Sequence, residues 1–398
     1  MSGIKAEVLI LGAGIAGCAL AYHLAQRHVG PVVVFDPRTP GAGATGRAAG
    51  IVTEQLWNRW DVDVTRESKE QYAALSARWD PSAYTVNGFV RWARGSDAQS
   101  VLATTVSRLR EWGVSIDDLD APELRERVPW GRFDDQHRGI FSARDAVVTP
   151  STMGEIYAEG ARQGGVEFLL GTPMTSWGRQ GGEWELGTGD RRVRADAAVV
   201  AAGAWSKALL RAIGHPLPLA PYRTQAAVLR PARGPEVFPS VHDIDVDVYA
   251  RPEARGRLLA GDGTRLVEVD PETFLSGADE EFVGHLAETF GNRFPGWADA
   301  ELVRAWAGVC TSTPDRRPLV GAVPGAERLF VIVGFNGYGV MRAGGVSLRL
   351  AELLASGGTG DRETERLRPV RPGRFSGPVR EFAPRPGFTL EDGDDPRF

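Results

Sequence analysis

Two hydrophobic rhythms recur along the chain, and each gives way to a stretch of small residues. Residues 7–11, Glu-Val-Leu-Ile-Leu, form a short run of strand formers. A helix-period stretch then runs to about Arg27, and a second apolar run, Val32-Val33-Val34-Phe35, ends at Asp36. Another buried strand is predicted at Ala197-Ala198-Val199-Val200-Ala201, running into Ala202-Gly203-Ala204-Trp205. Near the C-terminus, Leu329-Phe330-Val331-Ile332-Val333 leads into Gly334-Phe335-Asn336-Gly337-Tyr338-Gly339. A helix follows, with apolar Val346, Leu350, Leu353 and Leu354 and a stop at Gly357-Gly358. From Val241 to Tyr249, strict alternation predicts one strand with Asp243, Asp245, Asp247 and Tyr249 on a common face. That face is either the solvated face of an edge strand or one turned inward.

Three strand-to-small-residue switches meeting at one sheet edge imply a ligand larger than a nicotinamide cofactor lying across the crevice. The turn after the first strand, Gly12-Ala13-Gly14-Ile15-Ala16-Gly17, is G-x-G-x-x-G in its required context, after a strand and opening a helix. Gly12 makes the tight turn, Gly14 lets the backbone approach a pyrophosphate, and Gly17 lets helix and strand pack closely. Asp36, 19 positions after Gly17, can accept hydrogen bonds from a ribose. Residues 41–50 are small apart from Thr45 and Arg47, which suits a backbone wrapped against a flat ligand or, more plainly, a flexible loop. The positive end of the helix beginning near Gly339 would stabilise the negative charge of a reduced flavin, were one the ligand.

Composition narrows the partners. The 398 residues suffice for two to three domains of ~150 residues. The net charge of -5 offers no overall positive field for nucleic acid or an anionic membrane. Only Cys18 and Cys310 are present, which excludes a disulfide framework and a thiolate zinc site and favours a cytoplasmic setting. Lysines number three: Lys5, Lys69 and Lys207. The six histidines show no metal spacing and read as structural or surface residues. The most apolar stretch, Val8 to Ala25, is broken by glycines and His23 and lacks a basic lead-in, so it reads as core strand and helix rather than signal peptide or membrane span.

This ordered set of motifs resembles the D-amino-acid oxidase family of flavoproteins, in the branch of glycine oxidase and sarcosine oxidase. The resemblance runs from Val8 to about Phe375 and is carried by the Gly12 to Gly17 turn with Asp36, by Gly46-Arg47-Ala48-Ala49-Gly50, and by Ala202 to Trp205. Further support comes from Tyr249 and Pro252 ahead of Leu258-Leu259-Ala260-Gly261, Trp306-Ala307-Gly308, Thr313-Pro314-Asp315, Pro318 to Gly321, and Gly334 to Gly339. It implies an α/β fold in which a Rossmann-like FAD domain (1–85, 145–218 and 305–375) is interleaved with an α+β substrate domain on an antiparallel sheet (86–144 and 219–304), followed by a tail at 376–398. FAD would contact Gly12, Gly14, Ile15, Ala16, Gly17, Asp36, Pro37 and Arg38. Further contacts would come from Gly46, Arg47, Ala48, Ala49, Gly50, Met174, Ala202, Gly203, Trp205 and Gly308. Gly334, Asn336, Gly337, Tyr338, Gly339 and Val340 would complete the set. Arg47, Asp247, Tyr249, Cys310, Tyr338 and Met341 are the candidate catalytic residues, Arg47 having a structural ion pair as its alternative.

Four positions depart from the family pattern. Cys310 stands where the glycine oxidase branch has a carboxylate-binding arginine, five residues before the Thr-Pro-Asp aspartate. Gly308 stands where the sarcosine oxidase branch has its flavin-attaching cysteine, so noncovalent FAD is expected. Met341, beside Arg342, replaces a substrate-carboxylate lysine, and Leu259 replaces an oxygen-activating lysine. The function implied is oxidation of a C–N bond of an amine or modified amino acid to an imine, with oxygen or another electron acceptor. Oxidation of a C–OH bond, or a flavin-bound scaffold without activity, remain alternatives.

Overall fold

The computed structural model describes residues 2–189, 191–232, 238–262, 267–358 and 360–375, and the expected C-terminal tail at 376–398 lies outside them. An eight-stranded sheet and a nine-stranded sheet face one another, with a small sheet of Ile51–Val52, Tyr84–Val86 and Ala146–Val148 between their segments.

The first sheet has a parallel core in the order Glu167–Leu170, Val32–Asp36, Ser2–Leu11, Arg191–Val200 and Leu329–Val333. Residues 8–11, 32–35, 197–200 and 329–333 are continuously apolar because both faces are covered there. Val8 and Ile10 face one side of Ser2–Leu11, and Leu9 and Leu11 the other. On the first side lie the helices Ile15–Gln26, Arg59–Trp79, Pro150–Gln163 and Gly339–Ala355. The strands predicted from the sequence fall where expected, though Ser2–Leu11 and Arg191–Val200 are longer than their apolar runs.

In the second sheet, Glu301–Ser312 is an edge strand, and its neighbour Ala220–Arg230 pairs with it along its whole length. The boundary expected between 304 and 305 therefore falls inside a strand of this sheet. One face carries an aromatic core that includes Trp92, Trp130, Phe282, Phe294 and Trp297. The other carries only the small cluster Ala226, Val228 and Leu259, with Ala49, Tyr249 and Trp306 packed against it, and looks toward the first sheet.

One sequence expectation fails here. Residues 241–249 form a hairpin instead of one strand: Ser240–Asp243 turns through residues 244–247 into Val248–Glu253, with Asp243 opposite Val248 and His242 opposite Tyr249. Aspartates are poor strand formers and good turn formers, and Asp247 takes the left-handed conformation (φ 49°) that closes the turn. The expected common face is thereby split. Asp243 is buried beside Arg293 (3.7 Å), and exposed Asp245 accepts from the backbone N–H of Arg94 (3.0 Å).

Candidate active site

A continuous cavity of about 820 Å³ runs between the two sheets, from Asp36 at one end to His242, Asp247 and Tyr249 at the other. Its first end is backbone. Gly12 adopts φ 115°, and a Cβ there would meet Ala201 O at 2.5 Å. On Gly17 it would meet Gly12 O at 2.0 Å, whereas on Gly14 nothing lies nearer than Thr45 Oγ1 at 3.5 Å. Gly12 and Gly17 thus serve the turn, and Gly14 faces open space. No side chain caps the helix at Gly14, and the next amide, Ile15 N–H, donates to Thr45 Oγ1 (3.0 Å). The Asp36 carboxylate accepts from the N–H groups of Ala13 and Arg38 (both 2.9 Å), which fixes it at the cavity edge with lone pairs to spare.

Arg47 lines the cavity, but its Nη1 donates to the carbonyls of Ala42 (2.5 Å) and Gly43 (3.1 Å), so the cation is held by its own loop. Gly308 leaves room for that side chain: a Cβ there would meet Arg47 Cβ at 3.2 Å. Of the sequence-selected residues only Gly17 and Gly46 are absent from the cavity wall, and Gly46 donates to Gly41 O (2.8 Å) within the loop. The helix Gly339–Ala355 opens onto the cavity with Gly339, Val340 and Met341 in the wall and no acidic residue in its first turn. Arg342 turns away from it, 1 % exposed and paired with Asp61 (3.2 Å). Asn336, in a left-handed conformation, is buried in the wall with neither atom of its amide paired.

The far end is built by strand register. Arg91 pairs in register with His242, His242 with Tyr249, Tyr249 with Gly261, Gly261 with Ala226, and Ala226 with Trp306. Paired residues point to the same side, so one row of the sheet presents Arg91, His242, Tyr249, Ala226 and Trp306 to the cavity. A Cβ on Gly261 would strike the Tyr249 hydroxyl at 2.2 Å, so this glycine makes room for the ring. Asp247 reaches back from the turn, and His242 Nε2 lies 2.7 Å from its Oδ1. Arg91, 5 % exposed, donates from Nη1 to Gln55 O (3.0 Å). Burial lowers its pKa, and Tyr338, Asp145 and Asp247 act against that shift. Sequence reasoning missed Arg91 and His242, whose places depend on pairing across about 150 residues.

The tyrosines and the thiol in the wall keep their protons. Burial raises the Tyr222, Tyr249 and Tyr338 hydroxyls, and it pushes the Cys310 thiol to about 11 against a hydrogen bond with Tyr222. The three lysines lie elsewhere: Lys5 by Glu183, Lys69 buried between Glu54 and Asp145, and Lys207 by Glu268. Leu259 is buried in the apolar cluster behind Tyr249. No helix among the described residues is long and apolar enough to cross a membrane.

The open Gly14 face, the fixed Asp36 carboxylate and the unpaired Asn336 amide fit an extended flavin nucleotide. Comparison with known proteins agrees. The chain is 28% identical over 382 residues to mitochondrial dimethylglycine dehydrogenase of Rattus norvegicus, covering 89% of this chain and 43% of that protein. It therefore spans less than half the length of that relative. Monomeric sarcosine oxidase of Bacillus sp. (strain B-0618) is 25% identical over 370 residues, covering 89% of this chain and 93% of the relative. In fold, the chain matches the crystal structure of L-proline dehydrogenase from P. horikoshii with TM-score 0.85 at 23% identity, over 94% of this chain and 98% of that one. The profile of the DAO family, described as FAD dependent oxidoreductase, matches residues 7–353, and the chain belongs to that family.

Proposed function

We propose that the protein oxidises a C–N bond of an amine carrying a carboxylate, an amino acid or N-alkylated amino acid, to the imine. The observation that supports this most directly is the presence of opposite charges, Arg91 and Asp247, in the same cavity wall at the end away from the nucleotide turn. Arg91 offers a carboxylate the cation that Cys310 and Met341 do not, and Asp247 draws the cationic amine toward the same end. Apolar and aromatic walls, with Tyr249 and Trp306 among them, exclude water and fix the orientation of a small substrate.

Bound FAD supplies the hydride acceptor for the carbon bearing nitrogen. Gly12, Gly14, Ile15, Ala16 and Asp36 hold its nucleotide end, and Gly334 to Val340 with Asn336 hold its ring end. Attachment is noncovalent, since Gly308 carries no thiol and the Cys310 thiol stays protonated at neutral pH. Electrons pass on to oxygen or to another acceptor, and turnover with oxygen against a dye separates the two.

Anaerobic mixing of the yellow holoenzyme with sarcosine, dimethylglycine, proline and matched hydroxyacids tests the reading. Bleaching by amines alone is expected. Bleaching by hydroxyacids alone overturns C–N oxidation in favour of C–OH oxidation, and a spectrum that no compound changes refutes it.

A further inference from the structure

Hydride loss from a carbon beside nitrogen needs the nitrogen lone pair, yet an aliphatic amine with a pKa of ~10 arrives at neutral pH as a cation. A group in the cavity has to take that proton. The tyrosines of the wall and Cys310 are protonated, and exposed Glu272 lies at the rim. Asp36 lies at the opposite end of the cavity, and Asp262, buried in the same wall, has a partner of its own.

We infer that His242, backed by Asp247, is the proton acceptor for the substrate amine. This rests on the C–N reading above and goes beyond it by assigning the step that precedes hydride transfer. His242 is 8 % exposed and lies in the cavity wall. Its Nε2 is committed to Asp247 Oδ1 at 2.7 Å, while Nδ1 has no hydrogen-bond partner among the described residues. That contact fixes the neutral tautomer: Nε2 carries the proton and donates it to the carboxylate, so Nδ1 presents a lone pair. The backbone supports the contact at a cost, because Asp247 holds a left-handed φ of 49° that places its carboxylate against the ring.

In the step itself the ammonium N–H bond breaks and an Nδ1–H bond forms. The nitrogen keeps its electron pair, the substrate loses one positive charge and the imidazole gains one. No oxidation occurs in this step. In water the amine would retain its proton against imidazole, whose ordinary pKa is about 6.5. The contact of Asp247 with Nε2 puts a carboxylate on the imidazole side of the transfer, and the hydride step consumes the neutral amine as it forms. The groups around His242 are Arg91 on the adjacent parallel strand, Tyr249 on the antiparallel one, Asp247 in the turn and Tyr338 at the helix entrance, with Asp262 beside Tyr249.

The test is stopped-flow flavin reduction by dimethylglycine and by sarcosine from pH 6 to 10, with wild type, His242→Gln and Asp247→Asn, each checked for yellow colour and for reduction by dithionite. Wild type reaches its plateau in the neutral range. His242→Gln depends on amine already neutral in solution, so its rate is lower by roughly 10²–10³-fold at pH 7 and climbs about tenfold per pH unit toward the amine pKa. Asp247→Asn, which keeps a hydrogen-bonding side chain without the charge, falls between the two. Acetate binding, followed by its shift of the flavin spectrum, stays at its wild-type value in His242→Gln, which a collapsed cavity would not allow. A His242→Gln profile that superimposes on wild type overturns the assignment while leaving C–N oxidation standing. Failure of either amine to bleach the wild-type flavin overturns both.

Discussion

Replacing Gly14 by Val separates the fold from the cofactor. Gly14 sits at φ −69° and ψ 172°, extended backbone open to any residue, and the nearest atom to a new Cβ is Thr45 Oγ1 at 3.5 Å. The empty chain tolerates the change, losing up to about 1 kcal/mol because Val is a poor residue at a helix N-cap. What the side chain fills is the space in front of the helix N-terminus, where a diphosphate has to approach. Forcing a bulky group into such a contact costs about 1–3 kcal/mol, which weakens FAD binding roughly fivefold to 150-fold. Gly17→Ala is the contrast: its Cβ would fall 2.0 Å from Gly12 O, so it breaks the turn itself and destabilises the protein with or without FAD. The assay is the flavin-to-protein absorbance ratio after purification, together with thermal melts of apoprotein with and without added FAD. Gly14→Val should melt near wild type as apoprotein and lose about 1 to 2.4 kcal/mol of the FAD-dependent increment, which is about 2.7 kcal/mol in wild type for ligand at one hundred times Kd. A Gly14→Val protein that purifies with full flavin content and gains the wild-type increment refutes the placement of the diphosphate.

Three further outcomes follow from the same geometry. Acid precipitation should release all flavin to the supernatant from wild type and from Cys310→Ser alike, and colour retained in the wild-type pellet would contradict noncovalent binding. Arg91→Met should keep its colour while the Kd for acetate, read from the flavin spectrum, rises roughly tenfold to a hundredfold, as expected for loss of a charge-assisted contact. An unchanged Kd would remove Arg91 from the carboxylate site. His23, buried in the first helix with Nε2 2.8 Å from Gln71 Oε1, has its pKa lowered by burial to about 4 from 6.5. The unfolded chain then binds more protons between these values, so this contribution is fully present above pH 6.5 and is lost as pH falls toward 4. Its size is about 3 kcal/mol. Denaturant melts of His23→Gln should show a flatter acid limb across that window, and an unchanged slope would show that another group governs it.

What the sequence disclosed and what it concealed divide along a physical line. The nucleotide end was legible because its requirements are local. A turn at φ 115° needs Gly12, a close helix needs Gly17, and a carboxylate at the cavity edge ends the next strand at Asp36, all within a single βαβ unit. The three strands leading to small residues could likewise be recognised from their apolar runs, and they lie side by side in the parallel sheet. The substrate end follows from register across distant strands. Arg91 comes to His242 through parallel pairing of Phe89–Ala93 with Ser240–Asp243, and no periodicity in either segment records that pairing. His242 also sat in a stretch read as uninterrupted strand, because alternation alone does not distinguish a strand from a hairpin whose turn residues happen to alternate. Three aspartates in five residues carried the missing signal, since Asp favours turns over pleated sheet. Once the turn is placed, Asp243 and Asp245 leave the cavity and His242, two strand positions from the turn, enters it opposite Tyr249. The register error thus concealed the residue to which the structure assigns the amine proton, while Asp247 remained in view only because the turn carries it back to the face from which alternation had derived it.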